Sequence, residues 1–380
     1  MNRRILYIQY VNPAVYPPLE QSSQILADDG WDVLFMGLKS IGDTQKLHFP
    51  SHPHIYVKQF RSMPIGWQQK LNYLCFLVWV LIGTILWHPD WLYVSDLLAC
   101  PIGLVLSFLP YIKIIYHEHD SPDVKNISAF IRVLLYTRRK LAKRADICIL
   151  PNEKRAQHFM LTLSLDKMPE VVWNCPRQSE VTVRTKGYSE EGLSLWYHGT
   201  VVPQRIPFSL LEAIAELPPQ VSLHIVGYST IGHAKYVSEL REKTIQLGIS
   251  NRVVISDPLP RYLLLKECQK YDVGLSFMPL VSDDLNMRHM VGASNKAFDY
   301  LACGMALLVS DMIEWNDFYV ETGYGVSCDL QNPQSIIDAL NWLLEHPHER
   351  QEMGKRGQER IHKEWNYEVQ FSPVFERLNS

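Results

Sequence analysis

Ser294-Asn295-Lys296-Ala297-Phe298-Asp299-Tyr300-Leu301-Ala302-Cys303-Gly304, running into the apolar stretch 306–309, reads as a short capped helix that feeds a buried strand. Ser294 is a good N-cap residue and Gly304 a good C-terminal stop. A helix start offers unpaired backbone N–H groups and partial positive charge, both suited to a diphosphate. Asp299 falls one turn inside, placed to accept hydrogen bonds from ribose hydroxyls. Taken alone, the segment reads first as an ordinary structural helix, since most capped helices bind nothing.

Outward from it, strand-like and helix-like runs alternate along the whole chain. Strands are predicted at 5–8, 33–36, 91–94, 112–116, 147–150 and 171–173, with helices at 19–29, 68–87, 97–108, 126–145 and 153–161. The strand runs are continuously apolar, as strands buried on both faces should be. From 176 to 192 the chain turns polar and loses periodicity, which marks a linker. The pattern then restarts with strands at 195–198, 223–226, 253–255, 273–277 and 306–309. Helices are predicted at 207–217, 234–247, 335–345 and 349–363, and a last amphipathic stretch covers 367–378. Repeated βαβα units imply parallel sheets with helices on both faces. The predicted class is α/β, with two Rossmann-like doubly wound domains facing across a cleft at the carboxyl ends of their strands.

A chain of 380 residues with 47% hydrophobic and 20% charged residues has the composition of a folded protein with more than one core. Its net charge of -3 gives no reason to expect a nucleic-acid partner. The charge is unevenly spread: residues 1–180 hold 19 Lys and Arg against 15 Asp and Glu, and the remainder 18 against 25. The first half is therefore the half suited to an anionic surface. Seven scattered cysteines without a C-x-x-C pair read as buried reduced thiols. The start of the chain lacks a signal-peptide pattern, so a cytoplasmic location is expected.

The segment at 294–304 resembles the donor-binding helix of the family-4 glycosyltransferases with the GT-B fold, in the branch reading N-K-x-F-E-Y-[ML]-A-x-G. Other stretches match in order. Tyr197-His198-Gly199 through Arg205 resembles the glycine loop opening the second domain, and Ile225-Val226-Gly227 its next strand end. Tyr116-His117-Glu118-His119-Asp120 resembles Y-D-x-H-E, and Val172-Trp173-Asn174-Cys175-Pro176 the turn before the linker. Leu285-Asn286 matches a pair upstream of the helix, and Trp365-Asn366-Tyr367-Glu368 the start of a final helix that crosses back to the first domain. The resemblance thus implies an acceptor-side domain of residues 1–178 with 364–380, and a nucleotide-sugar donor domain of residues 190–363.

What the resemblance implies about chemistry is transfer of a sugar from a nucleotide-diphosphate donor to a hydroxyl acceptor, with retention, in cell-surface polysaccharide or glycolipid synthesis. The alternative is a catalytically silent module of the same fold that binds a nucleotide, a sugar or a protein. His119 and Arg205 are the implied catalytic residues, with His119 on the donor sugar and Arg205 on the diphosphate. Gly199, Arg205, Ser294, Asn295, Lys296 and Asp299 are the implied donor-binding set. Asn286, Asn12 and Tyr16 are candidates for sugar or acceptor contacts. Val291 stands where many members carry an acidic residue, Thr200 where many carry arginine, and the loop 11–18 lacks the usual glycine pair.

No cofactor or metal is expected, the nucleotide sugar being a substrate. His117-Glu118-His119-Asp120 carries ligating groups, but adjacent residues at a strand exit point in divergent directions, and the chain has no Asp-x-Asp. One further partner is expected. Residues 71–87 (LNYLCFLVWVLIGTILW) hold no charge and lead directly into a strand, too short for a comfortable span. They read as a buried cover helix or, with Trp79 and Trp87 outward beside Arg132, Arg138, Arg139, Lys140, Lys143 and Arg144, as a peripheral contact with the inner face of the membrane.

Overall fold

The computed structural model describes residues 3–40, 42–64, 66–122, 128–181 and 191–380. It divides into two compact units: Met1–Asn174 with Asp284–Ala293 and Tyr367–Ser380, and Cys175–Asp283 with Ser294–Asn366. Most of the polar stretch 176–192 lies outside the described residues, at 182–190.

The first unit is built on strands β1 (Arg4–Ile8), β2 (Asp32–Leu38), β3 (Ile55–Phe60), β4 (Trp91–Ser95), β5 (Lys113–His117), β6 (Ile147–Leu150) and β7 (Glu170–Val171). They form one parallel sheet in the order β3-β2-β1-β4-β5-β6-β7. The continuous apolar runs have a direct cause: alternate side chains of β1 feed two separate cores. Leu6 and Ile8 join Phe76, Leu141 and Phe159 on one face. Ile5 and Tyr7 join Leu19, Leu26 and Phe371 on the other. Those cores are covered by α1 (Pro17–Asp28), α2 (Trp67–Trp87), α3 (Cys100–Leu106), α4 (Ala129–Arg144), α5 (Glu153–Leu163), the single turn α9 (Leu285–Arg288) and the last helix α14 (Tyr367–Asn379).

In the second unit β8 (Leu193–Thr200), β9 (Val221–Tyr228), β10 (Val253–Ser256), β11 (Val273–Ser276), β12 (Ala306–Ser310) and β13 (Gly325–Cys328) form a parallel sheet ordered β10-β9-β8-β11-β12-β13. Helices α6 (Phe208–Glu216), α7 (Tyr236–Gln246), α8 (Arg261–Cys268), α10 (Asn295–Ala302), the turn α11 (Ile313–Trp315), α12 (Pro333–Glu345) and α13 (Pro347–Lys363) complete it. In each sheet the strand order reverses beside the first strand, at β1/β4 and at β8/β11. That is where an open α/β sheet leaves room for a ligand at its carboxyl edge.

Two strands escape the sequence reading, β3 and β13. β3 is an edge strand, largely exposed, so Ile55-Tyr56-Val57-Lys58-Gln59-Phe60 shows no buried run. β13 is short and made of small residues, Gly325-Val326-Ser327-Cys328. Helix α4 begins at Ala129, with Ser128 capping the Ile131 N–H; the predicted start at 126 falls outside the described residues. Asp284–Ala293 joins the first unit instead of the 190–363 block, because first-unit side chains hold its carbonyls. All seven cysteines are free thiols, and Cys100, Cys175, Cys268, Cys303 and Cys328 are buried. Cys75 is exposed.

Candidate functional site

In the second unit, tight packing brings three strand and helix ends together. Gly227 has no room for a side chain: a Cβ there would lie 1.9 Å from the Gly199 carbonyl oxygen. Gly199 has φ +114°, a conformation open to glycine. A Cβ on Gly274 of β11 would meet the Tyr300 ring at 2.2 Å, so α10 lies hard against that strand. The Tyr300 hydroxyl also accepts the His198 N–H at 3.2 Å, tying α10 to the end of β8.

Lys296 is thereby threaded beside Gly199, its Cε 2.9 Å from where a Gly199 Cβ would stand. Its ammonium makes no hydrogen bond or ion pair among the described residues. Burial, and then the positive field of Arg205, hold its pKa well below the ordinary lysine range, with Asp299 opposing. Ser294 is the N-cap of α10, yet its hydroxyl makes no cap bond and is buried without a hydrogen-bond partner. The structure thus brings together Gly199, Lys296 and the uncapped start of α10 at Ser294, within the field of Arg205, while the Asn295 side chain is turned to Asp299. An anion with several oxygens satisfies all of these at once.

Asp299 departs from its expected place. It is fully buried, and its two oxygens accept from Arg261 Nη2 at 2.7 Å and Nη1 at 3.1 Å and from Asn295 Nδ2 at 3.1 Å. His198 Nε2 stands 3.3 Å away. Trp196 Nε1 donates to His198 Nδ1 at 3.0 Å, so His198 carries its proton on Nε2, toward Asp299. Burial alone would raise the Asp299 pKa, but Arg261 and His198 bring it to about 2. Shut off from solvent and bonded through both oxygens, Asp299 is a buried anchor of this network and not a free ligand for ribose. Arg261 also takes both oxygens of Glu180, at 2.6 and 3.1 Å. Sequence reading missed Arg261 because it lies 38 residues from Asp299 and opens a helix of low amphipathicity.

In the first unit, the β5 exit scatters its four polar residues as expected of a strand end. Glu118 accepts from Arg138 at 2.5 and 2.7 Å, from Tyr116 at 2.7 Å and from Ser121 at 3.1 Å. The His117 Nδ1 is 2.5 Å from the Tyr93 hydroxyl. His119 is buried, its ring 3.9 Å from that of His117 and 4.8 Å from that of Tyr16. Its Nε2 lies 3.0 Å from Ser95 Oγ, while Nδ1 has no hydrogen-bond partner. Burial lowers the His119 pKa to about 4 despite Asp120 and Glu118, so the ring is neutral at pH 7. A neutral imidazole with one unpartnered nitrogen keeps a hydrogen-bonding site without carrying charge, and in this structure that nitrogen is buried.

Asp96, which sequence reading overlooked, ends β4 at the point where the strand order reverses. Its φ of +63° is rare for a residue with a side chain. Its carboxyl accepts the His119 N–H at 2.9 Å and Gln9 Nε2 at 3.3 Å. Although the residue keeps some surface, desolvation dominates its carboxyl and pushes the pKa up to about 7.

Two proposed sugar contacts are already committed elsewhere. Asn12 donates to Leu47 O and accepts from Ala14 N and Gln59 Nε2, so it builds the loop after β1. Asn286 exchanges a pair of hydrogen bonds with the Ser121 backbone, 2.8 Å each way. Beside Asn12 opens a pocket of about 600 Å³, lined among others by Lys39, His48, His52 and Gln59.

Residues 208–373 match a family model described as glycosyl transferase-like. No curated protein sequence matches the chain. Among solved structures, the fold is similar to that of HepE from Anabaena in complex with UDP and glucose, at 17% identity over 100% of both chains with a TM-score of 0.72. It is similar to sucrose-phosphate synthase from Thermosynechococcus elongatus, at 16% identity over 99% of both chains with a TM-score of 0.73. WaaG, a glycosyltransferase of lipopolysaccharide biosynthesis, matches at 12% identity over 97% of this chain and 98% of its own, with a TM-score of 0.68. The chain therefore has the GT-B fold.

Proposed function

We propose that this chain is a glycosyltransferase that takes a sugar from a nucleotide-diphosphate donor and passes it, with retention, to a hydroxyl acceptor. One observation carries the reading: Lys296, buried against Gly199 with no hydrogen bond or ion pair among the described residues, lies in the field of Arg205 at the uncapped start of α10. Burying a cation unpaired is costly unless a ligand supplies the counter-charge. As the glycosidic bond breaks, negative charge grows on the leaving diphosphate, and these two cations are placed to stabilise it. The departing phosphate then accepts the acceptor's proton. The glycosyl transferase-like model matches 208–373, which takes in Ser294, Asn295 and Lys296 but not Gly199 or Arg205, and supports the same reading. HepE was solved with UDP, which makes UDP the first nucleotide to test.

The deciding experiment is a thermal-shift series with UDP, GDP, ADP and CMP, each with and without EDTA. A ligand at one hundred times its dissociation constant raises stability by about 2.7 kcal/mol, a shift easily seen. A melting temperature unmoved by every nucleotide, or a shift abolished by EDTA, overturns the donor site. Donor hydrolysis or transfer by the nucleotide-binding protein distinguishes an enzyme from a silent binding module.

The acceptor side of the proposal places the protein at the inner face of a membrane, acting on a lipid-linked sugar. Helix α2 is 21 residues long and apolar enough to span a bilayer by length and composition, but Tyr73, Phe76 and Val80 are spent on the sheet. Its outer face is aliphatic and open, with Leu74 58%, Val78 56% and Leu86 77% exposed. This differs from the expected face, since Trp79 and Trp87 pack partly against the core. Next to it α4 exposes Phe130, Val133 and Tyr136 with Arg132, Arg139, Lys140, Lys143 and Arg144, and Phe130 meets Tyr73 of α2 edge to face. Arg138 drops out of the expected basic run: it is buried on Glu118. An apolar face fringed by cations suits an anionic lipid surface.

A further inference from the structure

Asp284–Ala293 belongs to the first unit because two side chains at the start of α5 grip it by its carbonyls. Asn152 Nδ2 donates to His289 O at 3.0 Å and to Val291 O at 2.9 Å. Arg155 donates from Nε to His289 O at 2.9 Å and from Nη2 to Asn286 O at 2.7 Å. Asn174 closes the far end, its N–H on Gly292 O at 2.7 Å and its Nδ2 on Ala293 O at 2.6 Å. A side chain on Gly292 would strike Pro151 O at 2.8 Å and Trp173 at 2.9 Å, so the strap lies flush with its bed.

Arg155 has a third role. Its Nη1 donates to His119 O at 2.9 Å, while Asp96 takes the His119 N–H from the other side at 2.9 Å. The backbone of His119 is thus held at both its donor and its acceptor. Arg155 is 1% exposed, and its only ion-pair partner among the described residues is Asp120, 3.3 Å away and largely in solvent. A guanidinium buried on neutral carbonyls is a poor source of stability, and an apolar side chain of similar volume often does as well. What an apolar side chain lacks is a set of directed bonds to three carbonyls at once.

We propose that Asp284–Ala293 is a positioning strap for His119, acting through Arg155: the strap fixes the guanidinium, and the guanidinium fixes the strand exit that aims the imidazole. The effect on transfer rests on the function proposed above; the strap itself does not. The test compares Arg155→Met and Arg155→Lys with the wild type. Amide exchange at Ser121 and Asn174, both bonded to the strap, should speed up at least about tenfold in Arg155→Met, while amides of β1 and β8 keep their protection. The ring nitrogen resonances of His119 should shift in the same variant. Turnover should fall about tenfold or more with nucleotide affinity within about twofold, since Arg205 and Lys296 are untouched, and Arg155→Lys should recover part of the loss. Unchanged exchange at Ser121 and Asn174 overturns the strap. So does faster exchange spread through both sheets, which would make Arg155 a general stability element. Faster strap exchange with unchanged His119 resonances and turnover removes the positioning role. A wild type that neither binds nucleotide nor transfers sugar counts against the function, and the exchange and resonance measurements still decide the strap.

Discussion

Asp299 and Arg261 form a two-bonded ion pair inside the second unit, with Oδ1 2.7 Å from Nη2 and Oδ2 3.1 Å from Nη1, both side chains shut away from water. This pair makes the acidic residue of α10 an anchor for its own helix and not an open acceptor. Removing one partner of such a pair leaves the other charge buried and uncompensated.

Asp299→Ala should therefore cost stability of about 3–5 kcal/mol, read as a lower urea midpoint, before any effect on nucleotide affinity is considered. The pH dependence has a definite sign. The folded pKa of about 2 lies below the ordinary aspartate value, so the pair stabilises the fold above the unfolded pKa. That contribution is lost as pH falls from about 4 toward about 2. Acid unfolding curves of the wild type and variant should converge over that window; an Asp299→Ala protein of unchanged stability at pH 7 would contradict the anchor.

Arg205→Ala should lower turnover by about two orders of magnitude, about 3 kcal/mol of barrier, and weaken nucleotide binding less. Lys296 adds a titration. Its free-state pKa is depressed by burial and by Arg205, and a bound diphosphate would raise it again. Between those two values binding takes up a proton, so affinity should fall as pH rises through that range. Calorimetry in two buffers of different ionisation enthalpy reads the uptake directly, and Lys296→Arg should abolish it. Proton release, or none, would contradict the depressed ammonium.

Asp96→Asn isolates the other displaced carboxyl. A folded pKa near 7 means the folded state holds the proton more tightly than the unfolded chain. Wild-type stability from this group is thus present below about pH 4 and is lost as pH rises toward about 7. The wild-type-minus-variant difference in unfolding free energy should fall across that interval, by at most about 4 kcal/mol. A flat difference would place the Asp96 carboxyl in water.

Vesicles of phosphatidylglycerol test the apolar face of α2. The wild type should co-sediment at low salt and release at high salt, each well-placed cation contributing about 1 kcal/mol. Changing Arg132, Arg139, Lys140, Lys143 and Arg144 to Gln should release it at low salt. Leu74→Ser with Leu86→Ser should weaken the salt-resistant remainder. Binding that ignores both sets of changes would remove this surface from the proposal.

Local chemistry is legible in the order of residues alone. Runs such as Ile5-Leu6-Tyr7-Ile8 announce strands buried on both faces, because each alternate side chain must be apolar to serve its own core. Ser294 and Gly304 bound a helix through their own backbone preferences, and Gly199 and Gly227 mark where two strand ends touch. The order of these local signals was enough for a doubly wound architecture. Which polar groups remain open for a ligand depends on long-range packing. Asp299, Asn286 and Asn12 look free in sequence, yet each is claimed by a partner: Arg261, the Ser121 backbone, and Leu47 with Gln59. Conversely, Asp96 and Arg155 carry no local signal and become central when folding brings them to His119 from 23 and 36 residues away. A hydrogen bond across such separations leaves no periodicity for a sequence to show. Burial then amplifies it, because a polar group removed from water must find its partner wherever the chain has put one.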